Sequence, residues 1–156
     1  MDKIRAYYQL TKPGVLYGNV LTAVAGFLLA AAGDIDWLVF GGMLFGMTAV
    51  VASACVLNNY LDQDIDAVME RTKKRPSVSG SVSGVGMLVF SAVLFLVGMT
   101  ALVLWTNLLT VWVGVIGFVT YVWLYGALSK RRSIHGTLVG SISGAVLILG
   151  GYVSDR

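Results

Sequence analysis

Charged residues occupy only short stretches of this chain, and nothing else in the sequence restricts its fold as tightly. No Asp, Glu, Lys or Arg falls within residues 15–32, 37–61, 76–129 or 133–154. Each of these stretches holds a membrane span of about 20 residues, and 76–129 has room for two. Apolar residues make up 57% of the chain and charged ones 12%, against roughly 45–50% and 25% in soluble domains. The mean hydropathy is +0.81. The expected fold class is all-α: a multi-pass transmembrane helical bundle, one domain over residues 1–156. The expected spans are 15–32, 37–58, 85–104, 108–128 and 134–153. Trp37 is placed to anchor the second span at the interface. Repeated small residues (Gly42 and Gly46; Gly136, Gly140 and Gly144) read as close helix packing.

The cations set the topology. Lys3, Arg5 and Lys12 precede the first span. Arg71, Lys73, Lys74 and Arg75 lie between the second and third. Lys130, Arg131 and Arg132 follow the fourth, and only Arg156 falls on the other side. This asymmetry predicts a cytoplasmic N-terminus and a cytoplasmic central loop. The N-terminal run lacks a small-residue cleavage site and an Arg- and Ser-rich transit sequence. A retained first helix in a bacterial plasma (inner) membrane is expected. Lipid is the surrounding partner, and no nucleic-acid partner is expected. The lone cysteine, Cys55, lies in an apolar run and reads as a small packed residue.

Residues 58–75, NNYLDQDIDAVMERTKKR, gather half of the acidic residues of the chain. Asn58, Asp62 and Asp66 recur every four residues, so on a helix they drift by only about 40° per step and share one face. Arg71, Lys73, Lys74 and Arg75 follow at once. Hard oxygen donors beside cations suit Mg²⁺ carrying a polyphosphate, with Lys and Arg taking the remaining charge. A calcium loop is excluded: Asp62, Asp64 and Asp66 match its first ligands, but Ala67 stands where it needs Gly and Lys73 where it needs Glu. A solvated loop is the simplest competing reading. Lys12, Lys130 and Arg131 are explained by topology alone, yet topology also brings them to the face of the carboxylates. Asn19, Tyr121 and Tyr125 are candidate cavity-lining residues, with helix glue and an aromatic belt as their alternatives.

At these residues the chain resembles the UbiA superfamily of membrane prenyltransferases, and within it the haem O synthase branch. The resemblance rests on TKPGVLYGN (11–19), ASACVLNNYLDQDIDAVMERTKKRP (52–76) and KRRSIHGTLVGSISGA (130–145). The superfamily motif is close to NDxxDxxxD; Asn58, Asp62 and Asp66 fit it, and Asn59 replaces its first Asp, as in that branch. The resemblance implies that Asn58, Asp62 and Asp66 are catalytic and hold Mg²⁺ on farnesyl diphosphate. Lys12, Arg71, Lys73, Arg75, Lys130 and Arg131 would bind the diphosphate. Haem b would be the acceptor, a substrate and not a cofactor.

The family carries about nine spans and a second Asp-rich motif, whereas five spans and one motif are read here. The chain is therefore expected to correspond to an N-terminal half, completed by a separate C-terminal half or by self-association. Transfer to another acceptor, such as a quinone precursor, and a truncated non-catalytic membrane fragment are the alternatives.

Overall fold

The computed structural model describes residues 2–123 and 136–155, with side chains left out over 136–143. Within these residues the only regular structure is helical. A short helix, α1 (Lys3–Leu10), precedes α2 (Pro13–Ala31). Pro13 opens α2 where its missing N–H costs nothing. The chain leaves α2 through two left-handed residues, Ala32 (φ 48°) and Gly33 (φ 102°), a common way to end a helix. Asp36 then caps α3 (Trp37–Leu61), its carboxylate accepting from the backbone N–H groups of Leu38 and Val39 at 2.9 and 3.1 Å. The turn acid thus satisfies amides that a helix start leaves open.

After α3 come two short helices, α4 (Gln63–Val68) and α5 (Pro76–Ser79). The bundle resumes with α6 (Gly84–Trp105), capped by Ser83, and α7 (Leu108–Val119), capped by Asn107. Asn107 also donates to the carbonyl of Val153, tying the start of α7 to the end of α8 (Gly136–Ser154). Among the described residues, three helices are long and apolar enough to cross a membrane: α2, α3 and α6. Shorter apolar helices cover Leu108–Trp123 and Gly144–Ser154. Helix α3 runs three residues beyond its expected end at 58, and residues 124–128 and 134–135 of the last two expected spans lie outside the described residues.

Helix α3 is the centre of the bundle. Two-thirds of its apolar window is buried (67%), against 28% for α2 and for α6. Its main neighbour is α6, while α2 pairs with α8. Phe27, Met43, Met47, Val50, Leu102 and Val113 form the largest core cluster. Leu21, Leu29, Val89, Leu96 and Leu104 face outward, which in a bilayer is a face for lipid. Helices suit that solvent because they satisfy their own backbone groups.

Close approach between helices depends on glycine in two places. A Cβ on Gly98 would meet the Gly46 carbonyl oxygen at 2.8 Å, where α3 and α6 touch. A Cβ on Gly26 would strike the Ile148 backbone, and one on Gly151 the Ala23 carbonyl, where α2 and α8 touch. Gly46 therefore packs as its spacing suggests. Gly144 does not: nothing lies within 4 Å of where its Cβ would be, and it lines a cavity instead. Spacing alone could not show that, because the helix turns that glycine away from its neighbours. Gly151→Val is expected to destabilise the bundle by about 1–3 kcal/mol or more, the range for overpacking. Gly41→Ala, at a position with open space, should be nearly neutral. Thermal midpoints of both variants in detergent check this.

Candidate functional site

The polar end of α3 is built by backbone geometry. The Asp62 N–H donates to the Asn58 carbonyl at 3.0 Å, and the Asp66 N–H to the Asp62 carbonyl at 2.8 Å. The four-residue ladder thus continues through the junction of α3 and α4. It places Asn58, Asp62 and Asp66 in one column, and each is at least 98% buried, at 0%, 0% and 2% exposure. A solvated loop does not describe these three residues.

Cations close on the column from two sides. Arg75 donates to Asp66 Oδ2 at 2.7 Å. The Thr72 hydroxyl donates to the Asp66 carbonyl at 3.0 Å and holds the returning loop in place. From the other side Lys12 Nζ donates to Asn58 Oδ1 at 2.6 Å, across 46 residues of sequence. Two of the remaining expected cations, Lys73 and Arg71, sit elsewhere. Lys73 pairs with Glu70 at 2.6 Å on the surface. Arg71 is exposed and makes no hydrogen bond or ion pair among the described residues. Lys130, Arg131 and Tyr125 lie outside the described residues.

The same face of α3 continues downward as an apolar stripe. Met47, Val51 and Ala54 line a cavity of about 320 Å³, together with Val15 and Asn19 of α2, Gly114 and Phe118 of α7, Tyr121, and Gly144 and Leu147 of α8. Ala54 is one turn, about 6 Å along the axis, below Asn58. Asn19 and Tyr121 therefore border the cavity. One helix face carries an apolar pocket and, directly beyond it, a buried polar column. This arrangement suits a molecule with a hydrophobic body and a charged end.

Residues 19–154 match the UbiA prenyltransferase family. The chain belongs to the UbiA prenyltransferase family. It is 48% identical over 149 residues to a protoheme IX farnesyltransferase of Yersinia enterocolitica, covering 96% of this chain and 50% of that protein. It is 49% identical over 154 residues to the protoheme IX farnesyltransferase of Sodalis glossinidius, covering 97% and 52%. The chain thus spans about half the length of the curated relatives it matches. Two solved structures share the fold. One is a digeranylgeranylglyceryl phosphate synthase (TM-score 0.89, 23% identity, 100% of this chain and 55% of that one). The other is a UbiA homologue from Archaeoglobus fulgidus bound to GPP and Mg²⁺ (TM-score 0.84, 13% identity, 97% and 54%).

The residues of this UbiA chain fit a Mg²⁺–diphosphate group in their chemistry. The column offers two carboxylates and one amide oxygen, all hard donors. No group of three His, Cys, Asp or Glu side chains is clustered to hold a metal among the described residues, so Asn58 would have to complete the set. Asn58 Nδ2 is buried with no hydrogen-bond partner among the described residues. Such an orphan costs about 1–3 kcal/mol, and a phosphate oxygen would satisfy it.

Two contributors, Thr72 and Gln63, escaped the sequence reading, and a third, Asn59, entered it only as the residue in place of the motif's first Asp. Asn59, 2% exposed, donates through Nδ2 to the Leu10 carbonyl at 2.7 Å. Thr72 braces Asp66, and Gln63 donates to the Ser77 carbonyl at 2.6 Å, joining α4 to α5. Only Asn59 gave a signal, as a second amide at an apolar helix end. Replacing Arg75 with Met should cost about 1.5–3 kcal/mol, the value of a hydrogen bond to a charged group. The drop in thermal midpoint would come with faster hydrogen exchange over residues 69–75, and Arg75→Lys should recover part of both.

Proposed function

We propose that this chain carries the diphosphate-binding part of a haem O synthase: Mg²⁺-dependent transfer of a farnesyl group from farnesyl diphosphate to a vinyl group of protohaem IX (haem b), giving haem O. The observation that carries this reading is the buried Asn58–Asp62–Asp66 column set directly beyond an apolar cavity. Identity near 48% to protoheme IX farnesyltransferases over nearly the whole chain supports the choice of acceptor.

On this reading Asn58, Asp62 and Asp66 hold the metal, which would neutralise diphosphate charge as it develops. Lys12 and Arg75 flank the column; Lys130 and Arg131, outside the described residues, are further candidates for the leaving group, and Arg71 and Lys73, on the surface, add only longer-range positive potential. Preorganised cations at that point lower the barrier because diphosphate departs with the electron pair of the allylic C–O bond. The haem vinyl carbon forms the new bond to the allylic carbon. Water then adds to the resulting cation and loses a proton, leaving a hydroxyethylfarnesyl group. The cavity, with Asn19 and Tyr121 at its border, houses apolar substrate and excludes water from the reacting carbons. Tyr125, outside the described residues, stays a candidate for the same cavity through its sequence position one turn after Tyr121. On this reading the cation-rich end of the bundle faces the cytoplasm, which the cation asymmetry of the loops supports, and the membrane is a bacterial inner membrane.

A second reading is a membrane unit that holds prenyl diphosphate without completing the transfer. One observation favours it: the chain spans about half the length of its curated relatives. A separate C-terminal half or a second copy would then supply the rest of the site. Transfer to a quinone precursor is the competing acceptor within the same family.

The test is haem O formation from haem b, farnesyl diphosphate and Mg²⁺, read by mass, with EDTA as the control. Asp62→Ala and Asp66→Ala are each expected to lower the rate by about 100-fold or more, as loss of a transition-state charge stabiliser does. Activity that survives both substitutions would remove the metal assignment. Farnesyl diphosphate binding with no product would select the second reading.

A further inference from the structure

Asn59 takes no part in the metal column, yet it is a buried amide whose acceptor atom, Oδ1, has no hydrogen-bond partner among the described residues. Burial on those terms points to a donor that this position requires. That donor, Nδ2, meets the Leu10 carbonyl. The partner is itself a carbonyl, which cannot donate, so the orientation of the amide is fixed by chemistry. At the end of α1 the other carbonyls have local partners: Tyr8 O accepts from the Thr11 N–H and hydroxyl, and Gln9 O accepts from the Lys12 N–H. Leu10 O is the one that a side chain from α3 satisfies. Two residues later Lys12 adopts a left-handed backbone (φ 50°, ψ 69°) immediately before Pro13. That conformation is uncommon for a residue with a Cβ and is further restricted before proline. It persists only where the surroundings over-determine it. Its result is that Lys12 Nζ reaches Asn58, the neighbour of Asn59.

We infer that Asn59 is a positioning residue: by holding the Leu10 carbonyl it fixes the connector between α1 and α2, so that Lys12 is presented to Asn58 at the candidate diphosphate site. Adjacent amides of α3 then grip one connector at two points, one on its backbone and one on its lysine. A carboxylate at position 59 would carry no N–H for Leu10, which gives the amide at this place a physical reason. The consequence for diphosphate affinity rests on the proposed function; the placement of Lys12 does not.

Two measurements on the full chain in detergent separate these. In the first, lysine acetylation is quantified by mass spectrometry, with Lys73, a surface residue far from the connector in sequence, as internal reference. Asn59→Leu and Asn59→Ala should each raise Lys12 labelling several-fold while Lys73 is unchanged. Unchanged Lys12 labelling in a folded variant overturns the inference, and the smaller alanine serves if leucine prevents folding. In the second, farnesyl diphosphate binding with Mg²⁺ is compared in Asn59→Ala, Lys12→Met and the double variant. Asn59→Ala should weaken binding about tenfold, as loss of one charge-assisted hydrogen bond does. It should add nothing in the Lys12→Met background, whereas a merely structural residue would give additive losses. Additivity overturns the inference. If the unaltered chain does not bind farnesyl diphosphate, the functional reading falls, and the labelling result alone decides the role of Asn59.

Discussion

The carboxylate of Asp66 is buried, and a buried carboxylate must have a cation and hydrogen bonds or give up its charge. Much of the polar end of the bundle follows from that need. Arg75 reaches back to Asp66, which requires the chain to turn sharply over residues 69–75. The turn is secured by the Thr72 hydroxyl on the Asp66 carbonyl and by backbone bonds from Thr72 and Lys73 to Met69. The loop that looks like a simple connection between two spans is therefore folded onto the helix it leaves. Helix α5 begins immediately after Arg75, at Pro76.

Helix α3 divides its work along its length rather than around its circumference. An amphipathic surface helix alternates polar and apolar faces at a period of 3.6 residues. In α3 one stripe passes from Met47 through Val51 and Ala54 to Asn58 and Asp62, apolar first and polar last. A membrane helix can be built so because its long middle needs no polar face for water. Its polar groups collect at one end, where they meet the headgroup region and the loops. The Ser53–Ser91 hydroxyl contact at 3.0 Å is a polar exception within the apolar part. There each hydroxyl also donates to a backbone carbonyl of the other helix, and the pair joins α3 to α6.

What was legible in the sequence follows from that division. The distribution of charge marked the helices within a few residues, since a charge inside hydrocarbon is costly wherever it falls. The i, i+4 spacing of Asn58, Asp62 and Asp66 survives the break between α3 and α4 because the backbone ladder survives it. Which cations join the column could not be read the same way. Arg71, Lys73 and Arg75 are nearly equivalent as letters, but a helix end and a reversed turn send them in different directions. Only Arg75 returns to the acids. Lys12 was placed near them by topology; its contact with Asn58 depends on a left-handed backbone that no pattern of residue types predicts. Gly26 and Gly151 went unremarked for a related reason. Their partners are backbone atoms of a distant helix, and nothing in their neighbours along the chain records that contact.

The unsatisfied polar atoms of this structure are not scattered. Asn58 Nδ2, Asn59 Oδ1 and Ser77 Oγ, each buried with no hydrogen-bond partner among the described residues, lie in the column, beside it on α3, and on α5 after the turn. Elsewhere among the described residues, Thr110 bonds to Asn107, Ser154 to the Gly151 carbonyl and Ser53 to the Ser91 carbonyl. A fold that satisfies its polar groups along the helices and leaves them wanting at one end has accepted a local cost there. An unmet amide donor beside a buried carboxylate and two cations is a poor way to stabilise a bundle. It is a good way to meet the oxygens of a polar, multiply charged group. Asn58 shows this most directly. Its oxygen accepts from Lys12 and keeps a second lone pair, and its Nδ2 has no acceptor among the described residues, so an anion beside Lys12 would meet a donor already held in place.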